Sequence, residues 1–356
     1  MNAIHPAGRP RSLAVILIAL AVIAFLFLRS GNHATPQLAP ETVTPPSVAP
    51  TPQVPVLQDT RPAFVSPPAA APPIDNRSPL AKLVGDTPGR LVVLFVDVGQ
   101  GDGLILKLPN GSFVVVDANQ GQGDRMADIL DELGCHTILA MVMSHPHADH
   151  IGGLPEIMKR FKVENFYDPG VPYPSSIYKR VLLAVEEEGC NYIIPKPGDI
   201  LTWDPRVAIT VVGGGSILAD DVNNASIVLH MVLDSASILL TGDAEKESED
   251  SMVARYAGRL RSTILKVGHH GSFSSSKPHF LKELGAQYGV ISVGRDNVYK
   301  LPKEGTLQFL REAGLRIFRT DEDGTILATT TGQFWSIAPV GEADPVRPSG
   351  RWKSNR

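Results

Sequence analysis

An α/β domain of mixed sheets covered by helices is the fold class predicted for the stretch from about Arg90 to Val340 of this 356-residue chain. Three observations predict it. Fourteen of the 30 prolines fall between Pro36 and Pro88, so packed structure is expected to begin after them. Beyond Arg90, short β-branched runs alternate with amphipathic runs, and several hairpin signals interrupt the alternation, which argues for mixed rather than purely parallel sheets. Hydrophobic content of 43% with 20% charged residues suits a globular domain; it excludes a wholly disordered chain and a multi-span membrane protein.

The N-terminus stands apart. Ser12 to Leu28 (SLAVILIALAVIAFLFL) is uncharged, with Arg9 and Arg11 before it and Arg29 after it. As a helix it would cover about 25 Å, near the lower limit for a membrane span. A cleaved signal peptide is the competing reading, but Phe25-Leu26-Phe27-Leu28-Arg29 is a poor cleavage site. The expectation is a single-pass membrane anchor over 12–28, with residues 1–11 cytoplasmic and the C-terminal domain extracytoplasmic, periplasmic or extracellular. Residues 29–89 are rich in Pro, Ala, Thr and Val and read as an extended linker.

In the globular part, Leu91–Val96 and Ser112–Val116 read as an opening antiparallel hairpin turned at Pro109-Asn110-Gly111. Asp124–Leu133 is an amphipathic helix ended by Gly134, and Ile138–Met143 is a buried strand. Further helices are expected over Leu154–Phe161, Ser175–Glu188, Glu245–Tyr256, Pro278–Leu284 and Lys303–Ala313. Strands are expected over Val163–Tyr167, Val207–Val212, Ser226–Leu233, Ser237–Leu240, Thr263–Val267, Tyr288–Val293, Leu315–Arg319 and Thr325–Thr330. Residues 341–356 read as a disordered tail. Cys135 and Cys190 each follow a glycine at a helix end and read as small buried residues; a disulfide is chemically open to them outside the cytoplasm. Two cysteines exclude a disulfide scaffold and a cysteine-ligated structural zinc site.

Charge limits function. Residues 1–89 hold six basic and four acidic side chains of the 33 and 37 in the chain, so the remainder carries 27 against 33, a net of −6. An acidic domain is poor material for a non-specific nucleic-acid binder, though not for a nuclease whose metals supply positive charge.

The chemistry concentrates in Ser144-His145-Pro146-His147-Ala148-Asp149-His150-Ile151-Gly152-Gly153. Three of the ten histidines and an aspartate follow a buried strand directly and precede a helix, a loop in which neighbouring side chains converge. Imidazole and carboxylate together suit zinc, manganese or iron. His145 and His147 can hold one ion, and Asp149 with His150 a second.

HxHxDH followed by Gly-Gly resembles the metallo-β-lactamase superfamily. Phe95-Val96-Asp97-Val98-Gly99-Gln100-Gly101-Asp102, the Ser144–Gly153 segment, Leu239-Leu240-Thr241-Gly242-Asp243 and Leu265-Lys266-Val267-Gly268-His269-His270-Gly271-Ser272 are together similar to the metallo-β-lactamase domain of the ComEC family of DNA-uptake competence proteins, over about residues 91–337. That family's channel-forming membrane domain is not expected here, where a single apolar run is found. The resemblance implies an αββα sandwich and two divalent ions, Zn or Mn. It implies His145, His147, Asp149 and His150 as ligands, Asp243 as the bridging ligand, and His269 or His270 completing the second site, with His269 preferred. It implies Asp117 as a residue orienting the site and Asp97, Gln100 and Asp102 as its rim. Many superfamily members place another histidine between His150 and Asp243. Here the region reads Asn223-Asn224-Ala225-Ser226, so Asn224, water or substrate would complete the first ion's shell, while His230 reads as a sheet-face residue. ComEC-like sequences also tend to place a histidine where this chain has Leu301, in Asn297-Val298-Tyr299-Lys300-Leu301-Pro302.

The function implied is a dinuclear metal-dependent hydrolase, a phosphodiesterase or nuclease acting on DNA, with the inner membrane as its other partner. Asp149 and Asp117 would act in catalysis, and Ser272, Ser274, Ser275, Ser276 and Lys277 are candidate phosphate donors or else a polar loop and helix cap. A hydrolase of a lactone, thioester or β-lactam, and a non-catalytic binding module on a stalk, are the alternatives.

Overall fold

The computed structural model of the chain describes residues 77–85, 87–215 and 221–340. The expected anchor, most of the linker and the expected tail lie outside the described residues. The linker's expected end is corrected: Pro79–Val84 is a helix, α1, whose Leu80 and Val84 are buried in the core. Ser78 caps it, accepting from the amide of Ala81 at 3.0 Å, and Pro79 starts it where no amide partner is needed.

Among the described residues the strands are β1 (Leu91–Phe95), β2 (Gly103–Lys107), β3 (Phe113–Ala118), β4 (Thr137–Val142), β5 (Lys162–Tyr167), β6 (Asn191–Ile193), β7 (Ile200–Leu201), β8 (Ala208–Gly213), β9 (Val228–Leu233), β10 (Ala236–Leu240), β11 (Ile264–Lys266), β12 (Tyr288–Ile291), β13 (Arg316–Arg319), β14 (Ile326–Thr330) and β15 (Trp335–Pro339). They form two mixed sheets, β15-β14-β1-β2-β3-β4-β5-β6 and β13-β12-β11-β10-β9-β8-β7. The expected opening hairpin is corrected too. β1 pairs with β2 and β14, and the Pro109-Asn110-Gly111 turn joins β2 to β3, not β1 to β3. β2 (GLILK), which follows the Phe95–Asp102 motif, is not among the expected strands.

Strand alternation builds three cores. Leu91, Val93 and Phe95 face the second sheet, while Val92 and Leu94 face the opposite way, so β1 is apolar on both sides and reads as an unbroken run. Between the sheets, Leu104, Leu106, Val114 and Val116 meet Ile209, Leu229, Met231 and Ile238. Helices α2 (Gly123–Glu132), α3 (Ala148–Ile151), α4 (Leu154–Met158) and α5 (Ser176–Glu188) cover the outer face of the first sheet through Met126, Leu130, Ile151, Leu154 and Val181. α6 (Lys246–Tyr256), α7 (Pro278–Leu284) and α8 (Glu304–Glu312) cover the second through Met252, Phe280, Leu281, Leu307 and Leu310; α9 (Thr320–Asp323) follows β13. Two mixed sheets between helical layers make the αββα sandwich. Cys135 is buried, Cys190 half-buried, and both are free thiols.

Candidate metal centre

Parallel pairing sets the site. β3 runs parallel to β4, and β10 parallel to β11, so the carboxyl ends of both pairs open toward one edge of the sandwich. From those ends come Asp117, the Ser144–His150 segment, Gly242-Asp243 and His269-His270. The backbone is strained where they meet: Asp117 has φ 59°, His269 φ 45° and His270 φ 50°, conformations that side chains other than glycine seldom adopt. Gly242, at φ 53°, is obligatory, since a Cβ there would stand 2.8 Å from Ser144 Cβ.

The histidines face one another. His145 Nε2 lies 3.0 Å from His147 Nδ1, and His150 Nε2 lies 3.2 Å from His270 Nε2. His270 Nδ1 donates to the Ser292 carbonyl at 2.9 Å, and His150 Nδ1 donates to Asp117 Oδ2 at 2.9 Å. These bonds place the neutral rings' lone pairs on Nε2, aimed at each other at a separation that is repulsive unless a cation lies between them. Asp243 Oδ2 is 3.3 Å from His150 Nε2, 3.5 Å from His270 Nε2 and 3.8 Å from His145 Nε2. Asp149 Oδ2 is 3.5 Å from His270 Nε2. Donor atoms of His145, His150 and Asp243 form one compact group, those of Asp149, His150 and His270 another, and those of Asp102, Asp117 and His150, behind the histidines, a third. Asp243 Oδ1 is buried without a hydrogen-bond partner. Convergent imidazole lone pairs, two carboxylates and an orphaned carboxylate oxygen fit a divalent cation.

Protonation agrees with that fit. Burial, reinforced by His150, holds His145 well below the usual histidine pKa, and burial lowers His147 also, so both present the neutral form that ligation requires. Burial opposes charge on His150, but the carboxylates of Asp243 and Asp117 outweigh it and raise its pKa. Asp243 is likewise desolvated, yet His150 and His270 keep it ionised. An environment that stabilises a proton among these groups stabilises a metal ion for the same reason.

The remaining expected residues divide. Asp117 lies beneath the cluster, accepting from Ser144 N at 2.8 Å, Ser144 Oγ at 2.6 Å and His150. Both residues of the expected His269 or His270 choice stand at the cluster: His269 Nδ1 is held by Glu245 Oε1 at 2.7 Å with its Nε2 3.8 Å from Asp243, and His270 stands among Asp149, His150 and Asp243. Asp102 is no rim residue. It is buried, with Oδ2 2.5 Å from Lys266 Nζ. Asn224 is also turned away from the rim, because its Oδ1 accepts from the amides of Glu245 and Ser248 and caps α6. Asp97 Oδ1 accepts from the Gly99 amide at 3.2 Å, and Gln100 Oε1 from the Gly294 amide at 3.2 Å, so both brace loops. Ser272 Oγ meets Ser274 Oγ at 2.9 Å, while Ser275 and Ser276 are fully buried. Lys277 Nζ donates to the Phe273 carbonyl at 2.5 Å. His230 donates from Nε2 to the Arg261 carbonyl at 3.1 Å, at the opposite end of β11 from the centre. Three residues were not singled out from sequence: Ser144, Glu245 and Lys266. Only Lys266 left a signal there, as the one charge in an otherwise apolar strand.

Residues 121–295 match the model of the metallo-beta-lactamase superfamily. The chain is 30% identical over 270 residues to ComE operon protein 3 of Bacillus subtilis (strain 168), covering 70% of this chain and 34% of that protein. It is 28% identical over 239 residues to competence protein ComA of Neisseria gonorrhoeae, covering 65% of this chain and 31% of that one. The chain thus spans about a third of the length of these curated relatives. Among solved structures it is similar to CmlA, a diiron β-hydroxylase from Streptomyces venezuelae, with a TM-score of 0.46, 13% identity and coverage of 65% of this chain and 53% of that one. With its motifs in order, its αββα sandwich and its His/Asp cluster at the sandwich edge, the chain belongs through this domain to the metallo-beta-lactamase superfamily, in a form similar to that of competence proteins.

Proposed function

We propose that the protein is a dinuclear metal-dependent phosphodiesterase that acts on DNA outside the cytoplasm, tethered by residues 12–28. One observation carries the hydrolase: two compact donor groups, His145/His150/Asp243 and Asp149/His150/His270, share His150, and Asp243 Oδ2 faces both. His145, His147 and Asp243 would hold one ion, and Asp149, His150, His270 and Asp243 the other. Bound divalent ions supply Lewis acidity, lowering the pKa of water and offsetting charge on the attacked ester. The chain's own groups do the rest. Asp149, with its side chain 36% exposed, is the carboxylate of the cluster open to solvent and is placed to orient the attacking water. Asp117 fixes the His150 tautomer. The Glu245 carboxylate holds His269 with its Nε2 toward Asp243, at the mouth of the site.

The choice of DNA rests on likeness to proteins named for competence and recombination, such as recombination protein 2 of Haemophilus influenzae, 28% identical over 239 residues. The acidic balance of the domain favours a second reading, a smaller non-nucleic-acid substrate. Assay of the purified chain with Mn²⁺ or Zn²⁺ on DNA, bis-nitrophenyl phosphate and a chromogenic cephalosporin separates the two. Metal-dependent cleavage of both phosphodiesters is the expected result; cleavage of the cephalosporin alone would overturn it. Among the described residues no helix is long and apolar enough to cross a membrane. The tether is tested by a periplasmic reporter fused after Arg356, expected to be active where a cytoplasmic one is silent.

A further inference from the structure

Lys266 ends β11 and is fully buried. Strand alternation puts it on the same face as Ile264, between the sheets. Its Nζ lies 2.5 Å from Asp102 Oδ2, donates to the Gly242 carbonyl at 2.9 Å, and stands 3.9 Å from Asp243 Oδ1. A buried ammonium is costly unless paired, and methionine would fill a similar volume without that cost. Asp102 needs a cation as much as Lys266 needs an anion. Its Oδ2 is 3.7 Å from His150 Nδ1 and its Oδ1 3.5 Å from His270 Nδ1, and Oδ1 accepts no hydrogen bond. Both Nδ1 atoms are already committed, to Asp117 and to the Ser292 carbonyl. Asp102 is therefore a carboxylate at the back of the histidines, and Lys266 is its main partner.

We propose that Lys266 is a positioning residue of the metal centre. Its ammonium is a built-in monovalent cation that keeps Asp102 out of the coordination sphere and turns Asp243 Oδ2 toward the histidines. Asp102, Asp117, Asp149 and Asp243 all crowd the site. Lys266 neutralises Asp102 and His150 engages Asp117, which leaves Asp149 and Asp243 for the ions. The ion pair thus sets how many carboxylates the ions meet. This inference rests on the reading of the cluster as a metal centre.

The consequence is a sign pattern. Asp102→Asn removes the anion and strands an ammonium 3.9 Å from a carboxylate oxygen of Asp243, where it repels a divalent ion. Asp102→Asn/Lys266→Met removes both charges together. Zn²⁺ binding by the full chain, read by competition with a chromophoric chelator, should weaken at least tenfold in Asp102→Asn and return to within about threefold of wild type in the double variant. Lys266→Met alone should lower the unfolding temperature of the metal-free chain, and the double variant should recover it. If Lys266→Met does not fold, the Asp102→Asn and double variants still decide. Wild-type affinity in Asp102→Asn, or a double variant as weak as Asp102→Asn, overturns the proposal. Failure of the wild type to bind Zn²⁺ overturns the metal-centre reading itself, which separates the two failures.

Discussion

Asp117 Oδ2 and His150 Nδ1 stand 2.9 Å apart, both fully buried, and the same carboxylate accepts from both the amide and the hydroxyl of Ser144. Asp117 thereby does two jobs. It ties the end of β3 to the loop that carries the histidines, and it keeps the proton of His150 on Nδ1. The lone pair on Nε2, which faces His270 and Asp243, exists only because of that choice of tautomer.

Asp117→Asn should expose this role without unfolding the chain. Asparagine tolerates the left-handed backbone that Asp117 adopts at φ 59°. With its carbonyl oxygen kept toward the Ser144 amide, its NH₂ would meet His150 Nδ1, force the proton to Nε2 and block ligation. Zn²⁺ affinity should fall about 10- to 100-fold. A variant that melts like wild type and binds Zn²⁺ equally well would remove Asp117 from the centre.

His147→Ala, Asp243→Ala and His230→Ala form a contrast. The first two remove donors at the cluster, and on the proposed function each should reduce metal-dependent hydrolysis by several powers of ten, because generation of the nucleophile would depend on the ions they would hold. His230→Ala loses one hydrogen bond to the Arg261 carbonyl, worth about 1 kcal/mol of stability, and activity should stay within about threefold. Equal damage from His230→Ala in a folded chain would make it the further ligand that the region between His150 and Asp243 otherwise lacks.

Sequence carried the cluster's donor residues further than their supports. HxHxDH is legible because its donors are adjacent, and unbroken apolar runs make the two-faced strands legible. What escaped depends on partners remote in the chain. Asp102 reads as a rim residue until Lys266 is found 2.5 Å away, 164 positions later in the chain. His269 and His270 read alike in sequence; that Glu245 holds the first and the Ser292 carbonyl orients the second is seen only in the fold. α1 was hidden by the prolines around it, although Ser78-Pro79 followed by Leu80 is a helix-start signal.

Asn224→Ala tests the reassignment of that residue from ligand to cap. Its side-chain oxygen accepts from the amides of Glu245 at 3.1 Å and Ser248 at 3.2 Å, and its amide donates to Glu247 at 3.2 Å. Removal should cost about 1–2 kcal/mol in denaturant unfolding, as for other N-caps, while Zn²⁺ stoichiometry and affinity hold. Loss of an ion from the variant would return Asn224 to the coordination sphere.

Asp168 offers a test of electrostatics away from the His/Asp cluster. It is fully buried after β5, its Oδ1 accepts from the Gly170 amide at 2.5 Å, and its Oδ2 accepts from Tyr178 at 3.1 Å. Burial raises its pKa from 3.8 to about 6, and the hydrogen bonds from Gly170, Tyr192 and Tyr178 offset only part of that rise. Because the folded state then holds a proton that the unfolded state has released, stability is full below pH 3.8 and is lost as pH climbs through about 6. Between pH 4.5 and 7.5 the loss from this group should be about 2 kcal/mol. Asp168→Asn keeps an acceptor for Gly170, can donate to a tyrosine hydroxyl, and does not titrate. Every other titrating group is common to both proteins and cancels in the difference. Urea unfolding at the two pH values should therefore find Asp168→Asn gaining on wild type by about 2 kcal/mol at the higher one. A stability difference that stays constant across the range would mean that Asp168 remains ionised throughout, with its hydrogen bonds fully compensating its burial.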